Sequence, residues 1–133
     1  MSDATLTGGC YCGAVRYRID GPVLSAGICH CATCRSTAGA ESVGWLTIAP
    51  AQLVQLAGDP MRYTSSPGVI RTFCPTCGTS LSYQNDPGSI DLTLASLDDP
   101  EAVPPTRECW LDHRLSWNPA NPALEGFPEG GED

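Results

Sequence analysis

Seven of the eight cysteines in this 133-residue sequence fall into three short groups: Cys10-Tyr11-Cys12, Cys29-His30-Cys31-Ala32-Thr33-Cys34 and Cys74-Pro75-Thr76-Cys77-Gly78. Thiolates so grouped suit a tetrahedral metal ion such as zinc. In the first group, residues two apart on an extended strand share a face, so both sulfurs can reach one ion. A disulfide across the single intervening residue would be strained. The third group has the form of a zinc knuckle, a tight turn whose amides point at the first sulfur while Gly78 takes a positive φ. A thioredoxin-like redox pair shares that spacing, but it belongs at a strand-to-helix junction, and residues 79–83 read as a strand. The middle group combines both spacings and offers three thiolates, one fewer than a closed tetrahedral site uses.

Counting limits how the sulfurs divide. If Cys10, Cys12, Cys74 and Cys77 close a structural site, then Cys29, Cys31 and Cys34 remain as a local set. Three protein ligands plus water is the usual pattern of a catalytic zinc. The other division joins Cys31 and Cys34 to Cys74 and Cys77 as a four-cysteine ribbon and leaves Cys10, Cys12 and Cys29 unexplained. His30, between two same-face cysteines, is expected to point away from them and to play a structural or supporting role. Cys109, beside Trp110 and Leu111, reads as a buried small apolar side chain rather than an eighth ligand. A fourth ligand from His30, Glu108 or Cys109 would close the second site and make both metals structural.

The elements that must carry these groups are mostly strands. In residues 12–19, Val15, Tyr17 and Ile19 alternate onto one face, and Gly21-Pro22 ends the run. Residues 23–28 form the next strand and lead directly into the middle cysteines. Residues 36–40 suit a loop or one helical turn. A strand follows at 42–48, with Val43, Trp45 and Ile48 apolar, and residues 49–56 carry the only helix expected, two short turns. Strands at 61–65, 69–73, 79–83 and 90–97 come next, punctuated by Ser66-Pro67-Gly68, the knuckle and Asp86-Pro87-Gly88. Residues 98–105 connect to a semi-apolar segment at 108–117, and residues 118–133 form an irregular tail, expected to be loosely held. The chain is expected to be one domain over 1–133, with its core at about 5–117.

Composition agrees with this reading. The 12 prolines and 14 glycines favour turns over long helices. A net charge of -8, from 15 acidic and 7 basic side chains, leaves little with which to neutralise phosphates, so nucleic acid is not an expected partner. Nothing approaches the roughly 20 apolar residues of a membrane span, and the start lacks the pattern of a secretory signal. The expectation is a cytoplasmic protein with no membrane partner, in whose reducing surroundings metal explains the cysteines better than disulfides.

Taken together, Gly9-Cys10-x-Cys12-Gly13, Cys29-His30-Cys31-x-x-Cys34-Arg35, Ser65-Ser66-x-Gly68, Arg71-x-Phe73-Cys74-x-x-Cys77-Gly78 and Leu97-Asp98 resemble the glutathione-dependent formaldehyde-activating enzyme family, which takes in S-(hydroxymethyl)glutathione synthase-like and centromere protein V-like proteins. The resemblance covers about residues 8–117. It implies a mainly β fold, a β-tent of small antiparallel sheets around a structural zinc with at most one or two short helices. It also implies two zinc ions per chain, a structural one on Cys10, Cys12, Cys74 and Cys77 and a catalytic one on Cys29, Cys31 and Cys34. The founding activity is a carbon-sulfur lyase type of reaction that condenses formaldehyde with the glutathione thiol. Members often carry a histidine and an apolar residue where this chain has Glu108 and Cys109, and a long glutathione-embracing insertion is absent here.

The expected partners are therefore a small thiol of the glutathione kind and a small aldehyde. An open three-thiolate zinc would hold the incoming thiol as its thiolate beside the carbonyl carbon. Formaldehyde and thiols already react in water, so orientation and thiolate fraction are what a protein can add. Arg35 and Arg71, next to the metal motifs, suit either a surface ion pair or a substrate carboxylate. Trp45 and Tyr63 are read as core. The rival function is a non-catalytic zinc module that binds a protein partner or a small thiol.

Overall fold

The computed structural model describes residues 5–130. Residues 1–4, part of the N-terminal stretch read above, and 131–133, the end of the expected tail, lie outside the described residues. The fold is mainly β, with one α-helix among the described residues.

In chain order the strands are β1 (Leu6–Gly9), β2 (Arg16–Ile19), β3 (Ser25–Cys29), β4 (Val43–Ile48), β5 (Leu53–Ala57), β6 (Met61–Ser66), β7 (Val69–Phe73), β8 (Ser80–Asp86), β9 (Ser89–Thr93), β10 (Arg107–Cys109) and β11 (Glu125–Gly126). They form a small antiparallel sheet in the order β1-β2-β5 and a longer sheet in the order β11-β10-β3-β4-β9-β8-β7-β6. From β3 to β6 every pairing is antiparallel, whereas β10 runs parallel to both β3 and β11.

The alternation read in the sequence sets the core. Val15, Tyr17 and Ile19 are buried and meet Leu46, Ile48, Leu81 and Leu92 from the long sheet and Leu94 and Leu97 from the turn after β9. Burying a large aliphatic side chain stabilises by about 1.5–3 kcal/mol. Cys10 and Cys74 belong to this cluster, so one cysteine group is part of the packing between the sheets. Tyr17 Oη shares a 2.7 Å hydrogen bond with Ser96 Oγ, which satisfies the one polar atom that strand face buries.

Two local expectations are corrected. Residues 49–56 hold no helix beyond the single turn Pro50–Gln52; Gln52 Oε1 accepts the Ala49 N–H at 2.8 Å and the chain then continues as β5. The open edge of β2 outweighs the weak helical preference there, since β5 pairs along it from Leu53 to Ala57. The helix lies instead at α1 (Ala32–Ala38), within and after the middle cysteines. Cys31 caps it by accepting the Cys34 N–H at 3.3 Å, and Gly39 ends it in the left-handed region, φ 66°.

The tail differs from expectation as well. It is irregular, but over its described part it is tied down. Glu108 O accepts the Phe127 N–H at 2.9 Å, and the N–H groups of Trp110, Leu111 and Asp112 donate to the carbonyls of Glu129, Phe127 and Pro128. Without the tail β10 would be an edge strand with unpaired backbone groups, and the tail, through β11, fills them.

Candidate metal centres and the adjoining cavity

The first site joins two tight turns. After β1 the chain folds back so that Cys10 N–H donates to Val15 O at 3.0 Å and Gly13 N–H to Cys10 O at 3.1 Å. Between β7 and β8 the knuckle closes with Gly78 N–H on Cys74 O at 2.8 Å, Gly78 taking φ 84°. The amides point at sulfur as the motif requires: Thr76 and Cys77 N–H lie 3.3 and 3.4 Å from Cys74 Sγ, and Val15 N–H lies 3.2 Å from Cys10 Sγ. Tyr11 N–H donates to Thr79 Oγ1 at 3.0 Å and locks the turns together.

The Sγ atoms of Cys10, Cys12, Cys74 and Cys77 all lie within 4.8 Å of one another, with Cys10 to Cys12 at 3.6 Å and Cys12 to Cys74 at 3.8 Å. Four sulfurs about 2.3 Å from one ion at tetrahedral corners stand about 3.8 Å apart, so the quartet fits zinc. Crowding splits their titration. The Thr79 hydroxyl pulls the Cys77 thiol down to about 5. Cys12 is pushed up to about 11, because the lowering by the Ala14 N–H is outweighed by its sulfur neighbours and burial. A divalent cation removes this competition by binding all four as thiolates.

The second group sits where β3 runs into α1. Cys29 ends the strand, Cys31 is the helix cap and Cys34 is in the first turn, and their three Sγ atoms lie within 4.8 Å of one another. Cys29 Sγ donates to Cys31 Sγ at 3.3 Å. Hydrogen bonds from the Cys29 and Cys34 thiols bring Cys31 down to about 2, while Cys29, the donor to Cys31, is pushed far up. The trio could hold a metal ion, and among the described residues no other His, Cys, Asp or Glu joins it. The ribbon division of the cysteines is thereby excluded: Cys31 and Cys34 do not meet Cys74 and Cys77.

The trio forms part of the wall of a cavity of about 530 Å³. Trp45, Arg71 and Tyr83 line it from the long sheet, and Arg107, Cys109, Trp110 and His113 from β10 and the turn beyond. Trp45 is thus both core, as expected, and cavity wall; Tyr63, also read as core, is instead exposed and stacks edge-on against Phe73.

His30 points away from the sulfurs, as its position between two same-face cysteines required. Its Nε2–H donates to Glu108 Oε2 at 2.8 Å, with both side chains almost fully buried, and Glu108 Oε1 accepts the Asn121 N–H at 2.6 Å. Neither His30 nor Glu108 closes the trio. Cys109 is only half-buried and lies in parallel register beside Cys29, so it is a cavity-wall thiol rather than a core side chain. Arg35 donates from Nε to His30 O at 3.1 Å and from Nη2 to His113 O at 3.2 Å, which clamps α1 to the chain after β10.

Arg71 is the residue whose setting the sequence concealed. It is 4% exposed, donates to Ser65 Oγ at 2.9 Å, stacks 4.8 Å from the Tyr83 ring centroid and brings Nη1 and Nη2 to 3.8 and 3.7 Å from Cys34 Sγ. The only sequence signal was an arginine three residues before the knuckle.

Residues 5–113 match the glutathione-dependent formaldehyde-activating enzyme family. The chain belongs to that family. The match spans all seven clustered cysteines and Arg71, so the two cysteine sites and, apart from Gly130, the residues lining the cavity lie within the family region. A solved structure of a Rhodobacter sphaeroides protein is similar in fold, with a TM-score of 0.61 at 21% identity over 91% of this chain and 98% of that one. No curated protein gives a significant sequence match to the chain. Among the described residues no helix is long and apolar enough to cross a membrane.

Proposed function

We propose that this member of the glutathione-dependent formaldehyde-activating family is a two-zinc enzyme that condenses formaldehyde, or a related small carbonyl, with glutathione or a similar thiol. Cys10, Cys12, Cys74 and Cys77 hold the structural ion and Cys29, Cys31 and Cys34 the catalytic one, within one domain acting on small molecules in the cytoplasm. The observation that carries this reading is the three-sulfur cluster with no fourth ligand among the described residues, set in the wall of a cavity of about 530 Å³. When bound there, zinc supplies a fourth position that favours a thiol as its thiolate at neutral pH.

The chain's own residues do the remaining work. The trio stands at the junction of β3 and α1, where strand pairing and the helix cap fix its orientation before substrate arrives. Arg71, almost fully buried, places a positive charge where negative charge collects on sulfur. Trp45 and Tyr83, 5.9 Å apart between centroids, form an aromatic wall that excludes water. In the net reaction a sulfur-carbon bond forms, the carbonyl π bond breaks, and the thiol proton ends on the new hydroxyl. Burial raises the Tyr83 phenol, so it stays protonated at neutral pH and is available as a donor to that oxygen.

The test is exchange NMR of formaldehyde with glutathione and with smaller thiols, with and without the zinc-loaded protein. Faster exchange for at least one thiol is expected; no acceleration for any of them would sink the enzymatic reading.

A further inference from the structure

Arg71 is a nearly fully buried cation that no carboxylate among the described residues pairs with. The ion pairs of Arg16 with Asp98, Arg18 with Asp20, and His30 with Glu108 do not include Arg71. Along the row of the long sheet that carries it, Arg71 is in register with Tyr83 on β8, and Tyr83 with Asp91 on β9. The guanidinium stacks on the first of these, while the Asp91 carboxylate accepts from Thr47 Oγ1 at 2.7 Å. Its remaining donors face Cys34 Sγ from a strand 37 residues away in sequence. A guanidinium taken out of water needs a compensating negative charge, and here sulfur is what lies against it.

Charge counting gives this contact a consequence. Three thiolates around a divalent cation sum to minus one, and a fourth ligand that is itself a thiolate makes minus two. A neutral fourth ligand leaves the sum unchanged. A fixed positive charge against Cys34 favours the more negative assembly. The four-cysteine site reaches minus two with its own chain, but Cys12 there is exposed to solvent, which screens it. None of the trio's cysteines is exposed in that way, and Cys34, the one Arg71 faces, is buried.

We propose that Arg71 is the built-in counter-charge of the three-cysteine site and sets its ligand selectivity, so that its fourth position takes an anionic ligand in preference to a neutral one. Arg71 acts through the cluster and is a positioning residue for the thiol. The inference rests on the proposed function only in taking that ligand to be a substrate thiolate; the preference for anions stands on charge alone.

The test uses the full chain loaded with two equivalents of cobalt(II), whose visible spectrum reports a new ligand directly. The probes are 2-mercaptoethanol and azide as anionic ligands and imidazole as a neutral one. Wild type should bind azide in preference to imidazole. In Arg71→Met the affinities for azide and thiolate should fall about 10- to 1,000-fold, the range a single charge at 4–6 Å contributes to an ionic equilibrium. Imidazole affinity should stay within about threefold of wild type, the spread ordinary for such context effects. Arg71→Lys should restore the anion preference at least in part. Equal losses for azide and imidazole would mean a merely structural role and overturn the proposal, as would a wild-type preference for imidazole. If Arg71→Met does not fold, the wild-type and Arg71→Lys selectivities decide by the same criterion. Azide binding without any thiol binding would leave Arg71 as the counter-charge and remove the enzymatic reading instead.

Discussion

Replacing Glu108 by alanine removes the acceptor on which two buried donors depend. His30 Nε2–H at 2.8 Å and Asn121 N–H at 2.6 Å both lose their partner, and His30 Nδ1 already has none. A buried donor left unpaired costs about 1–3 kcal/mol, so two cost about 2–6. Truncating one side of a buried ion pair costs about 3–5 kcal/mol by direct analogy. Taking about 3–5 kcal/mol, the melting temperature should drop by about 9–15 °C for a chain of this size. The assay is thermal and urea unfolding of metal-loaded protein, with hydrogen exchange at the Asn121 amide to report release of the tail. Metal content should remain at two per chain, because neither His30 nor Glu108 reaches the sulfurs. Replacing both partners, His30→Leu with Glu108→Leu, should recover most of the loss, since an apolar pair leaves only the Asn121 amide unpaired. A loss below about 1 kcal/mol, or departure of one metal equivalent, would refute the reasoning.

Two further outcomes follow from the same geometry. Cys29→Ser should lose one metal equivalent and keep the fold, whereas Cys74→Ser should unfold the chain, because a structural zinc contributes about 10–16 kcal/mol where folding stability is about 5–15; metal analysis with far-ultraviolet circular dichroism reads both, and equal damage would count against separate roles. Asp98 is held down at about 2, first by hydrogen bonding from Arg16 and then from Thr7, against an ordinary value of 3.8. Its folded value is depressed, so its contribution is fully present above about pH 4 and is lost as pH falls toward 2. With both side chains a third to a half exposed, the contribution is only about 0.5–1 kcal/mol, and Asp98→Asn should narrow its gap to wild type in urea melts as pH drops through that window.

The sequence by itself determined the sulfur chemistry and most of the sheet. Ligand spacing at i, i+2 and i, i+3 is a short-range property, so Cys10 with Cys12, Cys74 with Cys77, and the trio were all legible in place. The alternation of Val15, Tyr17 and Ile19 fixed a buried face because side chains on a strand repeat every two residues. Local preference misled where tertiary pairing was worth more: residues 53–57 became an edge strand against β2, and the helix moved to 32–38, where a cysteine caps it.

Only the tertiary structure decided which distant groups meet. Nothing local distinguishes the ribbon from the quartet, since both use sound pairs; the turn after β1 had to be docked on the knuckle through Tyr11 and Thr79. The parallel pairing of β10 to β3 put Glu108 under His30 and Cys109 beside Cys29, across about 80 residues of chain. The register of β7 turned Arg71 inward against Cys34. An arginine in a sequence carries the same charge whether it faces water or sulfur, and burial against a partner is settled only when the strands have paired.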